Sequence, residues 1–247
     1  GAKGEWYMFL DADEIFTDTR GIIDFFKSGE YKKYNSASYT VRNYRDYEKT
    51  EFADFSAPRL TKILPDTKFI RKIHESLSTY NYPLKNIENA ICDHFGYVIA
   101  DETSKKKCER NIPLLLEELE LDPAEPMTYL QLVEAYNSVD KEKSFYYCEK
   151  GMEICRQRAH YSGHMILFHK AELFALEGKF EEALGVIDEH DEFKQLDGIE
   201  KVVGMDLDFL YLKATLLLNL ERTAEAIPVF REYSEFYKDF RLKGKHH

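Results

Sequence analysis

The chain has 247 residues, 44% hydrophobic and 32% charged, with a net charge of −11. That balance supports a packed core and excludes a disordered chain, and the acidic surplus argues against non-specific binding to nucleic acid or to an anionic membrane surface. No apolar run approaches the length of a membrane span and no signal peptide is visible, while four cysteines without Cys-x-x-Cys spacing fit a reducing, cytoplasmic setting better than a disulfide framework.

In chain order, Trp6 to Leu10 is a short apolar run that ends in Asp11-Ala12-Asp13-Glu14. It reads as a buried strand with carboxylates at its carboxyl end, where open α/β sheets hold ligands. Three negative charges at a strand end call for a positive partner, and a divalent cation with oxygen ligands is one. A solvated acidic turn is the plainer alternative. A helix is predicted over Arg20–Lys33, with Ser28-Gly29 as an early break. Ser36–Tyr44 alternates, with Ala37, Tyr39 and Val41 on one face, and reads as a half-buried strand. Residues 45–56 lack a period and are expected to be loop. Ala57–Leu64 and Lys68–Glu75, separated by Pro65-Asp66, look like a hairpin whose tail carries His74 and Glu75. A further strand, Glu88–Asp93, leads into His94-Phe95-Gly96-Tyr97.

Gly4 to Glu14, Pro58-Arg59-Leu60, Ile73-His74-Glu75 and His94-Phe95-Gly96-Tyr97 follow one another in an order that resembles family 2 glycosyltransferases of the GT-A fold. The likeness covers roughly the first hundred residues. It implies an inverting, metal-assisted transfer of a sugar from a nucleotide-diphosphate sugar donor to an acceptor hydroxyl. Asp11 and Asp13 would hold the ribose and a Mn²⁺ or Mg²⁺ ion on the donor diphosphate, with Asp13 in direct contact. His74 or His94 would be a further ligand, Glu75 the general base, and Arg59 and Arg71 the cations that compensate the diphosphate. The acceptor is open: a polysaccharide, a lipid or a protein. In that family the Asp-x-Asp segment lies midway through the catalytic domain, so the chain reads as the C-terminal part of a longer enzyme. It is expected to be inactive alone, with Trp6–Leu10 left at a sheet edge.

From Asp101 onward helical periodicity takes over. Cys108, Ile112, Leu115, Leu116 and Leu119 mark one face of a helix ending near Asp122-Pro123, with Pro113 either in a first turn or at a kink. Helices are predicted over Pro126–Ser138 and Lys141–Arg156, the second carrying Cys148 and Cys155 on one face as buried thiols. The stretch from Ala171 through Gly178 to Ala183 aligns with that from Ala214 through Asn219 to Ala226, and Ala135 marks an earlier copy. These irregular repeats resemble tetratricopeptide-type helical hairpins, a likeness that implies a surface for a protein partner. The aromatics Tyr129, Tyr136, Tyr146, Tyr147, Tyr161 and Phe168 are expected mostly in the core. The fold class expected is therefore α/β, a partial GT-A-like domain over residues 1–103, followed by an all-α tetratricopeptide-like domain over 104–247.

Two other functions compete. A non-catalytic helical-repeat binding module would keep the α/β part only as a cap. A haloacid-dehalogenase-type phosphatase would use Asp11 as nucleophile and Asp13 as acid/base, but Glu14-Ile15 replaces the usual Gly-Thr or Gly-Val, and no downstream Asp pair for Mg²⁺ stands out.

Overall fold

Seven strands and eight helices make up the computed structural model over the described residues, which are 4–65, 67–73, 76–77, 83–96, 98 and 101–243. The chain divides into two compact units, residues 1–104 and 105–247.

In the first unit, β1 (Trp6–Met8), β2 (Glu14–Asp18), β3 (Ser36–Tyr44), β4 (Phe52–Lys62) and β7 (Leu84–His94) form one mixed sheet in the order β1-β4-β3-β7-β2. Only β3 and β7 run parallel; the other neighbours are antiparallel. Among the described residues β1 is thus an edge strand, paired with β4 alone. The alternation read in β3 holds: Ala37, Tyr39 and Val41 are buried. Ser36 and Ser38 are buried as well, so the start of the strand is covered on both faces.

Helix α1 (Arg20–Lys27) stops at Ser28, and Gly29 with φ of +76° turns the chain into a 3₁₀ segment, Glu30–Lys33. The break falls where the Ser-Gly pair placed it, because the left-handed conformation costs glycine nothing. Phe25 fills the gap between α1 and the sheet, and Trp6 meets Phe25 and Phe26 edge-on at 5.6 and 5.7 Å. Burying a side chain such as Phe25 contributes about 1.5–3 kcal/mol.

Three sequence expectations need correction. Residues 45–56 are not all loop, since β4 begins at Phe52 and pairs with β3 along its whole length. Cross-strand partners supply what a hydrophobic period does not: Tyr44 faces Phe52, and Arg42 and Asp54 form an ion pair at 2.8 Å. The strand after Pro65 does not fold back on β4. Instead β5 (Phe69–Ile70) pairs with β6 (Ser76–Leu77) in a separate two-stranded sheet, because both sides of β4 are already taken by β1 and β3. Finally, β2 was not anticipated. Glu14 occupies its first inward position, so a buried carboxylate disguises the alternation.

The second unit is helical. Helix α2 (Asp101–Leu121) contains Pro113 in its interior rather than in a first turn. It is followed by α3 (Pro126–Asn137), α4 (Lys141–Arg158), α5 (Ser162–Leu176), α6 (Phe180–Phe193), α7 (Val203–Asn219) and α8 (Thr223–Lys243). Each helix from α3 onward packs on the next, and α5 also touches α3 and α7, so successive hairpins stack. The repeated small residues stand at these contacts: Ala171, Ala183, Ala214 and Ala226 are fully buried. Gly178 ends α5 with φ of +73°, and the equivalent turn after α7 uses Glu221 at +58° rather than Asn219. Tyr129 and Tyr136 are core as expected, whereas Tyr146 is 56% exposed. Cys148 and Cys155 are buried and unpaired. Burial pushes the Cys148 thiol up to about 12, which leaves it protonated and inert.

Candidate functional site

The acidic turn lies between β1 and β2. Its backbone closes when the Glu14 N–H donates to the Asp11 carbonyl at 3.1 Å. The Glu14 carboxylate closes it a second time by accepting the Asp11 N–H at 3.0 Å. Arg59, on β4, donates through Nη2 to Glu14 Oε1 at 2.7 Å and to Asp11 Oδ2 at 2.8 Å. Its guanidinium also lies 4.5 Å from the Phe9 ring centre. The Glu14 side chain has no solvent exposure and that of Asp11 is 53% exposed. Glu14 is therefore the fixed anchor of Arg59, and Asp11 is the partner that solvent or a ligand can replace. Burial opposes the charge on Arg59, but Glu14 and Asp11 outweigh it and raise its pKa.

Asp13 points elsewhere. Its carbonyl accepts the Phe95 N–H at 3.2 Å, and its Oδ2 lies 3.4 Å from His94 Nε2. The parallel pairing of β3 with β7 sets Asn43 opposite His94, and Asn43 Oδ1 is 2.6 Å from His94 Nδ1. A carboxamide oxygen only accepts, so Nδ1 carries the hydrogen and a neutral ring presents its Nε2 lone pair to Asp13. A proton on Nε2 or a metal ion between the two groups would satisfy both. Gly96 leaves room for it. A Cβ there would lie 2.4 Å from His94 Nε2 and 2.7 Å from Asp13 Oδ2, so any larger residue would fill the space beside both donors.

Asp11 is thus brought to Arg59, and Asp13 to His94. Arg71 follows β5, in the small sheet, with φ of +70°. His74 and Glu75 lie outside the described residues. Glu14 counts among the three carboxylates and Gly96 falls within the His94-Phe95-Gly96-Tyr97 segment, but neither is given a role from sequence, and Asn43 is not singled out. Glu14 is adjacent to the Asp-x-Asp segment, but only the register of β4 shows that it pairs with Arg59. Nothing in the sequence marks Asn43.

Neighbouring polar residues hold the sheet end together. Asp93 is buried and takes Lys49 Nζ at 2.7 Å, while Lys49 lies over the Tyr44 and Phe95 rings at 5.3 and 5.4 Å. Among the described residues, no three His, Cys, Asp or Glu side chains converge as a complete metal site. Asp13 and His94 fit a cation whose remaining ligands come from elsewhere. Mg²⁺-type ions commonly behave this way, taking one or two protein donors together with substrate phosphates and water.

The two units define a mixed α/β sheet carrying an Asp-x-Asp turn, followed by stacked helical hairpins. No family model matches the chain. Over 146 residues it is 29% identical to the SPbeta prophage-derived glycosyltransferase SunS of Bacillus subtilis (strain 168), and equally so to the glycosyltransferase SunS of Bacillus phage SPbeta. The match takes in 58% of this chain and 34% of each relative, so the aligned part spans about a third of their length. The chain is therefore similar to part of a glycosyltransferase. Among the described residues, no helix is long and apolar enough to cross a membrane.

Proposed function

We propose that the first unit holds the diphosphate end of a nucleotide-sugar donor in a glycosyltransferase of the family 2, GT-A type. The observation that carries this reading is the facing of Asp13 Oδ2 and His94 Nε2 at 3.4 Å beside Gly96. A divalent cation bound between these two groups, in place of a proton, would take further oxygen ligands from phosphate and water. A Mn²⁺ or Mg²⁺ ion there would act as a Lewis acid on the leaving diphosphate. Asp13 and His94 would hold it. Asp11 would turn to the donor ribose, and Arg59, anchored by Glu14, would transfer its exposed contact from Asp11 to a phosphate oxygen. In an inverting transfer the acceptor oxygen bonds to the anomeric carbon as the sugar–phosphate bond breaks. The diphosphate leaves with the electron pair, and Glu75 takes the acceptor proton. Arg71 would add charge compensation, and His74 is an alternative ligand.

The stacked hairpins support a tetratricopeptide-like second unit. In this reading it presents a surface to a protein partner or to the acceptor.

Calorimetry with Mn²⁺ and inorganic pyrophosphate together tests the site without requiring turnover. The chain should give binding heat that neither component gives alone. Asp13→Asn and Gly96→Ala should each weaken it by roughly tenfold or more, corresponding to the loss of about 1.4 kcal/mol. Equal binding by Asp13→Asn, or none by the unchanged chain, would sink the reading.

A further inference from the structure

The second unit contains two histidines that take no part in the site above. His164 on α5 and His190 on α6 are 2% and 1% exposed. His164 Nδ1 lies 2.9 Å from His190 Nε2, and His164 Nε2 lies 3.0 Å from the Glu200 carbonyl. Hydrogen-bond polarity assigns the protons. A carbonyl only accepts, so His164 Nε2 carries a hydrogen and Nδ1 of the neutral ring is an acceptor. His190 Nε2 must then donate. That leaves His190 Nδ1 as a bare lone pair, buried and without a partner. The ring is held in place by Phe209 on α7, stacked on it at 3.7 Å, and Phe193 meets His164 edge-on at 5.1 Å.

The chain of bonds tolerates only the neutral pair. A proton added to His164 Nδ1 would face the His190 N–H, and one added to His190 Nδ1 would bury an imidazolium where the nearby carboxylates are already paired with Lys194. The charged groups around the pair give no dedicated counter-ion. Lys194, just after α6, is bound at 2.8 Å to Asp191 and at 3.2 Å to Asp206 of α7. Lys213 of α7 and Glu232 of α8 share a cavity with those three residues, and Lys201 lines a second one with His164, Lys194 and Asp206. Burial, reinforced by Lys194, pulls His190 down to about 4, and burial also lowers His164.

We propose that the His164–His190–Glu200 chain is an acid-sensitive latch that joins α5 to α6 and to the connection over residues 194–202, and that protonation opens it by breaking the His164–His190 bond. The sign follows from linkage. Both groups titrate lower in the folded protein than the ordinary 6.5, so an unfolded or opened chain binds protons first as pH falls. The latch is fully closed above pH 6.5 and loosens progressively toward pH 4. Its release would free the connection between the second and third hairpins without dissolving the first. This proposal is independent of the transferase reading.

Amide hydrogen exchange on the whole chain between pH 7 and 4.5, corrected for intrinsic rates, is the test. Protection of residues 194–206 should fall by roughly ten- to a hundredfold per pH unit below 6.5, as opening takes up one or both protons. The α3–α4 amides serve as the control and should stay protected. In His190→Gln the side-chain amide still donates to His164 Nδ1 but only His164 can take up a proton, so protection should fall clearly less steeply with pH than in the unchanged chain. Loss of protection in His190→Gln with the wild-type profile would overturn the latch, as would simultaneous loss across α3–α4. If His190→Gln does not fold, side-chain NMR of the unchanged protein decides. The His190 titration must coincide with exposure of 194–206, and titration without exposure overturns the proposal.

Discussion

Arg59→Met is expected to destabilise the first unit by about 3–5 kcal/mol, because it leaves the fully buried Glu14 carboxylate without its counter-charge. The cost comes from stranding a charge more than from losing an attraction. The double variant Arg59→Met/Glu14→Gln should therefore recover more than half of it. A neutral amide at position 14 can still accept the Asp11 N–H, and the methionine fills the space beside Phe9. Urea unfolding followed by the fluorescence of Trp6, the chain's one tryptophan, reports on this unit alone, since Trp6 packs against α1. A loss below 1 kcal/mol in the single variant, or no recovery in the double, would show that Glu14 does not depend on Arg59. Asp11 is the less demanding partner. It is exposed, and Asp11→Asn should cost well under 1 kcal/mol.

The second large effect is expected at Gly21, in the first turn of α1. A Cβ there would stand 1.8 Å from the Glu88 carbonyl oxygen and 2.8 Å from Ile87 Cγ2. The obstacle is the backbone of β7, which no rotamer change can move aside. Gly21→Ala must lift α1 off the sheet, opening the contacts of Phe25 and Phe26 with Trp6. A destabilisation of about 3 kcal/mol is expected despite the gain in helix propensity, which is worth only about 1 kcal/mol. A red-shifted Trp6 emission in the folded variant would accompany it. Gly21→Ala with unchanged stability and emission would mean that α1 does not seat on β7 in this way. Gly29→Ala provides a contrast. No atom lies within 4 Å of a Cβ there, so its cost is that of the left-handed conformation alone, about 1 kcal/mol.

The sequence was most legible where one physical signal dominated. Helical periodicity from Asp101 onward located the helices, and the alanine pairs at Ala171/Ala183 and Ala214/Ala226 marked the close contacts between them. Alternation located β3, and the Ser28-Gly29 pair ended α1. The abrupt passage from apolar residues to Asp11-Ala12-Asp13 drew attention to the turn before any partner was known. Reading failed where pairing replaced periodicity. The start of β4 depends on facing Tyr44 and Arg42, the supposed hairpin after Pro65 was pre-empted by β1 and β3, and β2 hides behind the buried Glu14.

Local chemistry along the chain therefore determined which residues are helical, which glycine turns the backbone and which carboxylates stand at a strand end. These depend on neighbours a few positions away. Only the tertiary structure decided what each carboxylate does. Asp11 and Asp13 are two residues apart and alike in composition, yet the registers of β4 and β7 give one to Arg59 and the other to His94. The same holds for His164 and His190, whose bond joins different helices. Charge and hydrogen bonding act over a few ångströms, and the sequence does not state which distant residues the fold will bring that close.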